Sequence, residues 1–398
     1  MGVSSELKVA LLTGGGDRPY VFGMANALMA KGLSLDIVGG DDLDCSEWHG
    51  TRHVRFLNLR GDMREDASLP KKISRVLIYY VRLLVYAATA KPKIFHIIWN
   101  NKFEYFDRTL LMLYYKTLGK HVILTAHNVN KSKRDCTDTR LNRLTLKIQY
   151  RLCDHVFVHT EQMKRELINE YGGHSAAITV IPFGINNAVP ISEITSAGAR
   201  RRLNIGEEER VILFFGRIVP YKGLEYLVAA FQEHLTSFRC NRLIIAGRPE
   251  KDCRQYFDAI RDKIEQSENG GQIMLRVEYV PDNETELYFK AADVLVLPYR
   301  DIYQSGVLFL AYSFGLPVVA TDVGALREEI VEGKTGFVCK PENPADLARA
   351  IQAYFCSDLF KNLNGCRNSI QQYARQRYSW NIVGELTKNV YEELLGQQ

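Results

Sequence analysis

Short apolar runs recur along the chain, and most are followed by a stretch whose apolar positions repeat with helical spacing. In the first half the runs at 7–12, 33–38, 53–57, 94–98, 122–125, 155–159 and 178–181 read as strands. Helical stretches at 21–31, 74–90 and 107–117 lie between them. A second series follows a loop at 182–199. Its strands are 211–215, 242–246, 274–279, 294–297, 317–320 and 336–338. Its helices are 224–234, 252–267, 285–291, 307–314, 325–332 and 344–356. The last has a clear start signal, with Asn343 as cap and Pro344 at the first helical position. Strand and helix alternate throughout, which predicts parallel sheets with helices on both faces. The pattern therefore predicts two doubly wound α/β domains, with a linker near 184–200. In such folds ligands bind at the carboxyl ends of strands, here in a cleft between the domains.

Composition narrows this picture. The chain has 398 residues, 46% of them hydrophobic, enough for two such domains. No apolar run reaches the ~18 residues that span a bilayer. The first ten residues lack the basic region, apolar core and cleavage site of a signal peptide. The eight cysteines, at 45, 136, 153, 240, 253, 339, 356 and 366, form no C-x-x-C pair. They read as reduced thiols of a cytoplasmic protein, neither a disulfide frame nor a zinc site. The net charge of +5 hides an asymmetry: residues 51–151 hold 21 Lys and Arg against 7 Asp and Glu. A basic half beside a net acidic remainder suits an anionic partner or a merely well-solvated surface.

Candidate chemistry concentrates at Gly216-Arg217-Ile218-Val219-Pro220-Tyr221-Lys222-Gly223, between the apolar run 211–215 and the amphipathic run 224–231. Gly216 permits a tight turn. Lys222 and the free N–H groups of the following helix face one side, a natural clamp for a dianion. Arg217 adds a planar, permanently charged fork. Further on come Arg242 to Pro249, Val277 to Asp282, and the stretch from Ser305-Gly306-Val307 through Gly315-Leu316-Pro317 to Asp322-Val323-Gly324.

This order of motifs resembles the donor domain of retaining GT-B glycosyltransferases of family 4, over most of 205–350. Gly336-Phe337-Val338 with Pro341-Glu342-Asn343 resembles that domain's closing motif. The first half resembles the family more weakly. Gly14-Gly15-Gly16 stands at its glycine-rich loop, Thr125-Ala126-His127 at its T-x-H element, and His159-Thr160-Glu161 and 181–185 at the approach to its linker. Tyr378-Ser379-Trp380 resembles the segment that crosses back to the first domain. The resemblance implies a GT-B fold: an N-terminal acceptor domain at 1–190, a nucleotide-sugar donor domain at 191–375, and a returning helix at 376–398. It implies transfer of a hexose-type unit from a nucleotide-sugar to a glycan or lipid-linked acceptor, with retention at the anomeric carbon. Arg217 and Lys222 would contact the diphosphate, joined by the N–H groups of Ser305, Gly306 and Val307. Gly15 and Gly16 would let backbone approach the sugar and phosphate. Val280 and Pro281 would border the base, and His127 would sit beside the donor sugar. No metal is expected, because cations and helix ends supply the charge.

The chain also departs from the family. The E-x7-E glutamates fall at Ile302 and Leu310, neither of them acidic. Asp301, Tyr303 and Gln304 are the available substitutes. Glu328, after Asp322-Val323-Gly324, fits a family acidic position or a plain helix-start carboxylate. The alternative to an enzyme is accordingly a non-catalytic, transferase-like protein that binds sugar nucleotides. Asp42-Leu43-Asp44 spells a D-x-D but lacks the setting of a metal-dependent transferase. The Gly14-Gly15-Gly16 loop completes neither a dinucleotide nor a P-loop fingerprint, and no nucleic-acid module appears. The basic region surrounds an apolar, tyrosine-rich helix at 76–87 with Lys71, Lys72, Arg75 and Arg82, and a second cluster runs from Lys131 to Arg151. This mixture fits peripheral contact with anionic lipid at the inner face of the cell membrane. Its apolar residues equally fit a helix packed on the sheet.

Overall fold

The computed structural model of the chain describes residues 7–62, 68–135, 137–173, 177–185, 189–236 and 240–396. Cys136, the first six residues and the middle of the loop expected at 182–199 fall outside these ranges. The chain divides into two compact units, one of residues 1–184 with 380–398, the other of residues 185–379.

The N-terminal unit is built on seven strands: β1 Lys8–Leu12, β2 Ser34–Gly39, β3 Val54–Asn58, β4 Ile94–Ile97, β5 His121–Thr125, β6 His155–Val158 and β7 Ile178–Val180. They pair in parallel in the order β3-β2-β1-β4-β5-β6-β7. Its helices are α1 Arg18–Ala30, α2 Leu69–Thr89, α3 Glu104–Arg108, α4 Leu110–Thr117, α5 Lys131–Arg134, α6 Arg140–Leu152 and α7 Glu161–Tyr171. The central strands are apolar on both faces, with Val9, Ala10, Leu11, Ile37 and Ile94 fully buried, so helices must cover both sides. Right-handed crossovers place α1 on one face and α2, α3, α4, α6 and α7 on the other.

The C-terminal unit has six parallel strands: β8 Arg210–Phe215, β9 Asn241–Ala246, β10 Ile273–Arg276, β11 Val294–Leu297, β12 Val318–Thr321 and β13 Gly336–Cys339. Their order is β10-β9-β8-β11-β12-β13. Its helices are α8 Ser196–Arg202, α9 Leu224–Ala230, α10 Arg254–Glu265, α11 Asp282–Ala291, α12 Gly306–Ser313, α13 Leu326–Glu329, α14 Pro344–Cys356, α15 Asp358–Lys361 and α16 Leu363–Tyr378. Arg200 of α8 clasps Asp293 through two 2.8 Å bonds, fixing the start of this unit to its sheet. The last helix, α17 Trp380–Gly396, belongs to the N-terminal unit and packs on α1. Val383, Val390 and Tyr391 join the same core as Val9, Val21 and Met24, and Tyr391 Oη lies 2.6 Å from His96 Nδ1.

The elements differ from the sequence reading in several places, among them α5, α8, α15 and α16, over which no helix was read. Helix α2 starts at Leu69, because Ser68 is extended and Pro70 fits the first turn. The stretch at 107–117 breaks at Thr109, whose backbone leaves the helical region. Strand β10 ends at Arg276, short of Tyr279. Helices α6 and α7 fill 140–171, where no helix was read. Both are capped by threonine hydroxyls, Thr139 to Asn142 N and Thr160 to Met163 N.

Candidate functional site

In a doubly wound sheet the crevice opens where the strand order reverses. In the N-terminal unit this point lies between β1 and β4, and in the C-terminal unit between β8 and β11. Most residues singled out from sequence gather at these two points, each within its own unit; Val280 and Pro281 do not.

At the end of β8 the chain turns through Gly216, at φ +103°, and passes Arg217 to a one-turn helix, Pro220–Lys222. Lys222 is only 7% exposed. Its Nζ stands 5.5 Å from the centre of the Tyr299 ring, just beyond β11. A Cβ placed on Gly216 would lie 3.1 Å from Lys222 Nζ and 3.6 Å from Val307 Cγ2. The turn of β8, the lysine and the first turn of α12 therefore converge. Gly223 then starts α9 in the left-handed region, at φ +62°, and a side chain there would strike the Pro298 carbonyl oxygen at 2.1 Å. Only glycine lets the start of α9 come this close to the end of β11. Ser305, buried, precedes α12 in an extended conformation, and its side chain makes no cap hydrogen bond. The first N–H groups of α12 thus point out of the helix beside Lys222, an arrangement that binds anions. Arg217 differs from Lys222: its side chain is 67% exposed and its Nη1 pairs with Glu250 at 2.5 Å. Such an exposed pair is weak and readily exchanged for a ligand.

Val280 and Pro281 lie between β10 and α11, with Val280 buried and Pro281 extended. Strand β9 separates β10 from β8, so these two residues stand on the outer side of the site. Ile302 is buried, and its carbonyl oxygen is 1.7 Å from where a Cβ on Gly324 would stand. Gln304 Nε2 donates to Glu329 Oε1 at 3.4 Å, and Gln304 Oε1 accepts from Ser305 N at 3.3 Å. Glu329 is buried, also bonded by the Tyr378 hydroxyl, and burial raises its pKa. The sequence reading pointed to Glu328, which is exposed. It is the adjacent carboxylate that reaches the segment at 302–306.

In the N-terminal unit, β1 runs into Gly14-Gly15-Gly16 and then α1, whose first turn is capped by Asp17 accepting from Tyr20 N. The loop is covered by the chain itself. A Cβ on Gly16 would meet the Trp99 ring at 1.9 Å, and one on Gly15 would meet Arg60 Nη1 at 2.2 Å. Any ligand approaching these glycines thus meets Trp99 and Arg60 as well. Trp99, just past β4, stacks on His127 at 4.0 Å between ring centres. Tyr20 meets the same histidine edge-on at 4.6 Å. His127 Nδ1 lies 3.0 Å from His159 Nε2. Desolvation first, then His159 and His96, push the His127 pKa well below its ordinary value. Burial brings His159 down to about 4. His127 is therefore a neutral ring in an aromatic cage. Trp99, Tyr20 and Arg60 were not found from sequence. Trp99 alone carried a signal, as a large aromatic at the end of a strand at the switch point.

Comparison with known proteins bears on the family and the fold. The profile described as Glycosyltransferase Family 4 matches residues 14–189, and that described as Glycosyl transferases group 1 matches 209–356. An uncharacterized glycosyltransferase of Methanocaldococcus jannaschii is 27% identical over 262 residues, 62% of this chain and 63% of the relative. A D-inositol 3-phosphate glycosyltransferase of Kineococcus radiotolerans is 27% identical over 250 residues, 60% of this chain and 57% of the relative. The matched region spans less than two thirds of the length of these curated relatives. Among solved structures, sucrose-phosphate synthase of Thermosynechococcus elongatus superimposes with a TM-score of 0.78 at 19% identity, covering 99% of this chain and 100% of the other. HepE of Anabaena, in complex with UDP and glucose, gives 0.75 at 15% identity over 98% and 100%. With both units matched by profiles of one group and both sheets wound as in these neighbours, the chain belongs to the group 1, family 4 glycosyltransferases of GT-B fold.

Proposed function

We propose that the protein is a retaining glycosyltransferase that moves a hexose-type unit from a nucleoside-diphosphate sugar to a glycan or lipid-linked acceptor. The place would be the inner face of the cell membrane, in envelope or exopolysaccharide synthesis. In the reaction the bond from the anomeric carbon to the diphosphate oxygen breaks. The acceptor hydroxyl oxygen takes its place on the same face, and its proton leaves with the diphosphate. Negative charge grows on the leaving group, and preorganised positive groups stabilise it best. The observation that carries the reading is the convergence of buried Lys222, Gly216 and the N-terminus of α12 at the switch point of the second sheet. Arg217 adds a mobile guanidinium once it leaves Glu250. HepE, bound to UDP and to UDP-glucose, supports a nucleotide-sugar donor for this fold. Val280 and Pro281 would border the base, Gly15 and Gly16 the sugar and phosphate, and His127 a sugar hydroxyl.

No metal takes part in this proposal, since lysine and helix terminus supply the charge. Release of nucleoside diphosphate should therefore persist in EDTA. The direct test is a panel of nucleotide-sugars with membrane lipid extract, reading free nucleoside diphosphate. Release from one donor, lost in Lys222→Ala, supports the transferase. Because Ile302 and Leu310 lack carboxylates, a non-catalytic sugar-nucleotide binder is the competing reading, and tight binding of a donor without release under any acceptor would favour it.

A further inference from the structure

Helix α2 distributes its side chains in an order that packing on the sheet does not explain. It buries its three tyrosines with Leu83 and Ala87, and exposes most of its larger aliphatics. Tyr79, Tyr80 and Tyr86 point inward, where Tyr86 Oη donates to Asp36 and Tyr80 Oη to Asp107, each at 2.9 Å. Leu69, Ile73, Leu77, Val81 and Val85 recur every four residues along the outer side, each between 53% and 70% exposed. Successive members are neighbours, but each four-residue step turns by about 40°, so the five form a ridge inclined to the helix axis that spreads over about 160° of its outer side. Ile78, 49% exposed, broadens the stripe.

The exposure is local. Of the fifteen exposed large apolar side chains among the described residues, twelve lie on α2, α3, α4, α6 or the loop residue Phe103. These elements share one face of the N-terminal sheet. Tyr80 of α2 stacks on Phe103 with centres 5.2 Å apart, Tyr114 Oη of α4 donates to the Leu84 carbonyl of α2, and α3 and α4 both touch α6. A contiguous apolar surface of this kind marks a contact with something else.

Charge on the same layer selects the occupant. Helices α2 and α6 carry four Lys or Arg each and no Asp or Glu. Exposed Lys71 and Arg82 stand seven residues before and four after Ile78, along the edge of the stripe, while Arg75 between them is held by Asp62. On α6, exposed Leu144 sits between Arg143 and Lys147 at the rim of an open pocket of about 540 Å³. Aliphatic side chains bordered by cations match the two layers of an anionic bilayer surface: acyl chains beneath, phosphate headgroups above. Nucleic acid would leave the aliphatic stripe wet.

We propose that α2 is the membrane-docking element: it lies in the plane of an anionic bilayer, seats the stripe from Leu69 to Val85 among the acyl chains, and holds headgroups with the basic residues of α2 and α6. No helix among the described residues is long and apolar enough to cross a membrane, so the contact is peripheral. The inference deepens the reading of a membrane-borne acceptor and rests on it for its purpose, but docking is measurable without turnover.

The test is flotation of the purified full chain with phosphatidylcholine vesicles, with and without about 30% phosphatidylglycerol. Two variants change exposed positions only, Ile73→Ser/Leu77→Ser/Val81→Ser and Lys71→Gln/Arg82→Gln/Lys147→Gln, and unchanged urea midpoints verify that they fold. The wild type should favour the anionic vesicles by about tenfold or more, with added salt reducing the difference. Both variants should fall to the level seen with neutral lipid. Equal, negligible binding of the wild type to both vesicles would overturn the proposal, as would wild-type binding by the serine variant. A dimer that the serine substitutions dissociate, with no vesicle binding, would overturn it in favour of self-association. Nucleotide release with a detergent-dispersed acceptor separates the two readings. Lost flotation with normal release concerns docking alone, and normal flotation with no release in the wild type concerns the transferase alone.

Discussion

The two cations of the donor-side motif lie five positions apart and stand in different surroundings. Lys222 is buried beside the Tyr299 ring and the start of α12, whereas Arg217 reaches into solvent and holds Glu250. A charge already in place and desolvated stabilises a leaving group more than one that must be recruited. Lys222→Met should therefore reduce kcat/KM for donor by about 10²–10³-fold, the usual range for a lost preorganised donor. Arg217→Ala should cost less and act more on KM. Steady-state kinetics on both variants decides this, and an Arg217 loss equal to that of Lys222 would refute the distinction. His127 yields a pH prediction. Its pKa is held well below the ordinary histidine value, so the ring is already neutral from pH 5.5 to 8 and acts by hydrogen bonding. A pH–rate profile over that range should show no inflection that disappears in His127→Asn. These residues were legible to different degrees. Lys222 and His127 stood out because a strand end fixes their place whatever the tertiary detail. The carboxylate reaching Gln304 did not, because Glu328 and Glu329 are neighbours and only the helix phase decides which one is buried.

Among the elements, strands were read closely and helices less so. A parallel strand buried on both faces is apolar along its length, as in β8 and β11, and its ends are marked by the first polar or glycine residue. Helix α6 was missed because its mean character is polar and basic, and its buried side consists of Asn142, Thr145 and Gln149 with Leu146 and Tyr150. A buried face satisfied partly by hydrogen bonds, such as Asn142 with Asn130 at 3.0 Å, lowers the mean hydropathy of the stretch, although Leu141, Leu144, Ile148 and Leu152 do repeat with helical spacing. Helix α9 shows what one glycine can control. Gly223 combines a left-handed backbone with contact against the Pro298 carbonyl, which cannot rotate away. Gly223→Ala should then destabilise the C-terminal unit by about 1–3 kcal/mol, combining backbone strain with a steric clash. It should also weaken donor binding by moving Lys222, one residue before it. Urea unfolding together with donor titration tests this, and full stability with normal affinity would show that the turn tolerates a side chain.

At the scale of the whole molecule, the two-sheet plan was legible because each sheet repeats the same strand–helix grammar. The return of α17 to the first unit was legible only through family likeness, since nothing local says where a terminal helix packs. That return closes a core with an unusual burden of imidazole. His96 lies within β4, His155 begins β6 and His159 follows its end, all nearly inaccessible, and burial lowers their pKa values to about 3, 4 and 4. Above about pH 6.5 these rings are neutral whether the unit is folded or not, so they carry no penalty. Below that, the unfolded chain takes up protons that the folded unit refuses until about pH 4. Stability must therefore fall as pH drops from 6.5 towards 4, by up to about 1.4 kcal/mol per histidine per pH unit. The molecule contains its own reporter: its three tryptophans, Trp48, Trp99 and Trp380, all belong to the N-terminal unit. Tryptophan fluorescence in urea should show a midpoint that declines between pH 7 and pH 5. The decline should flatten in His155→Gln and His159→Gln, which remove a proton acceptor from the unfolded chain. A midpoint unchanged over that range would mean that these histidines are protonated in the folded sheet, and the neutral cage around His127 would have to be abandoned with them.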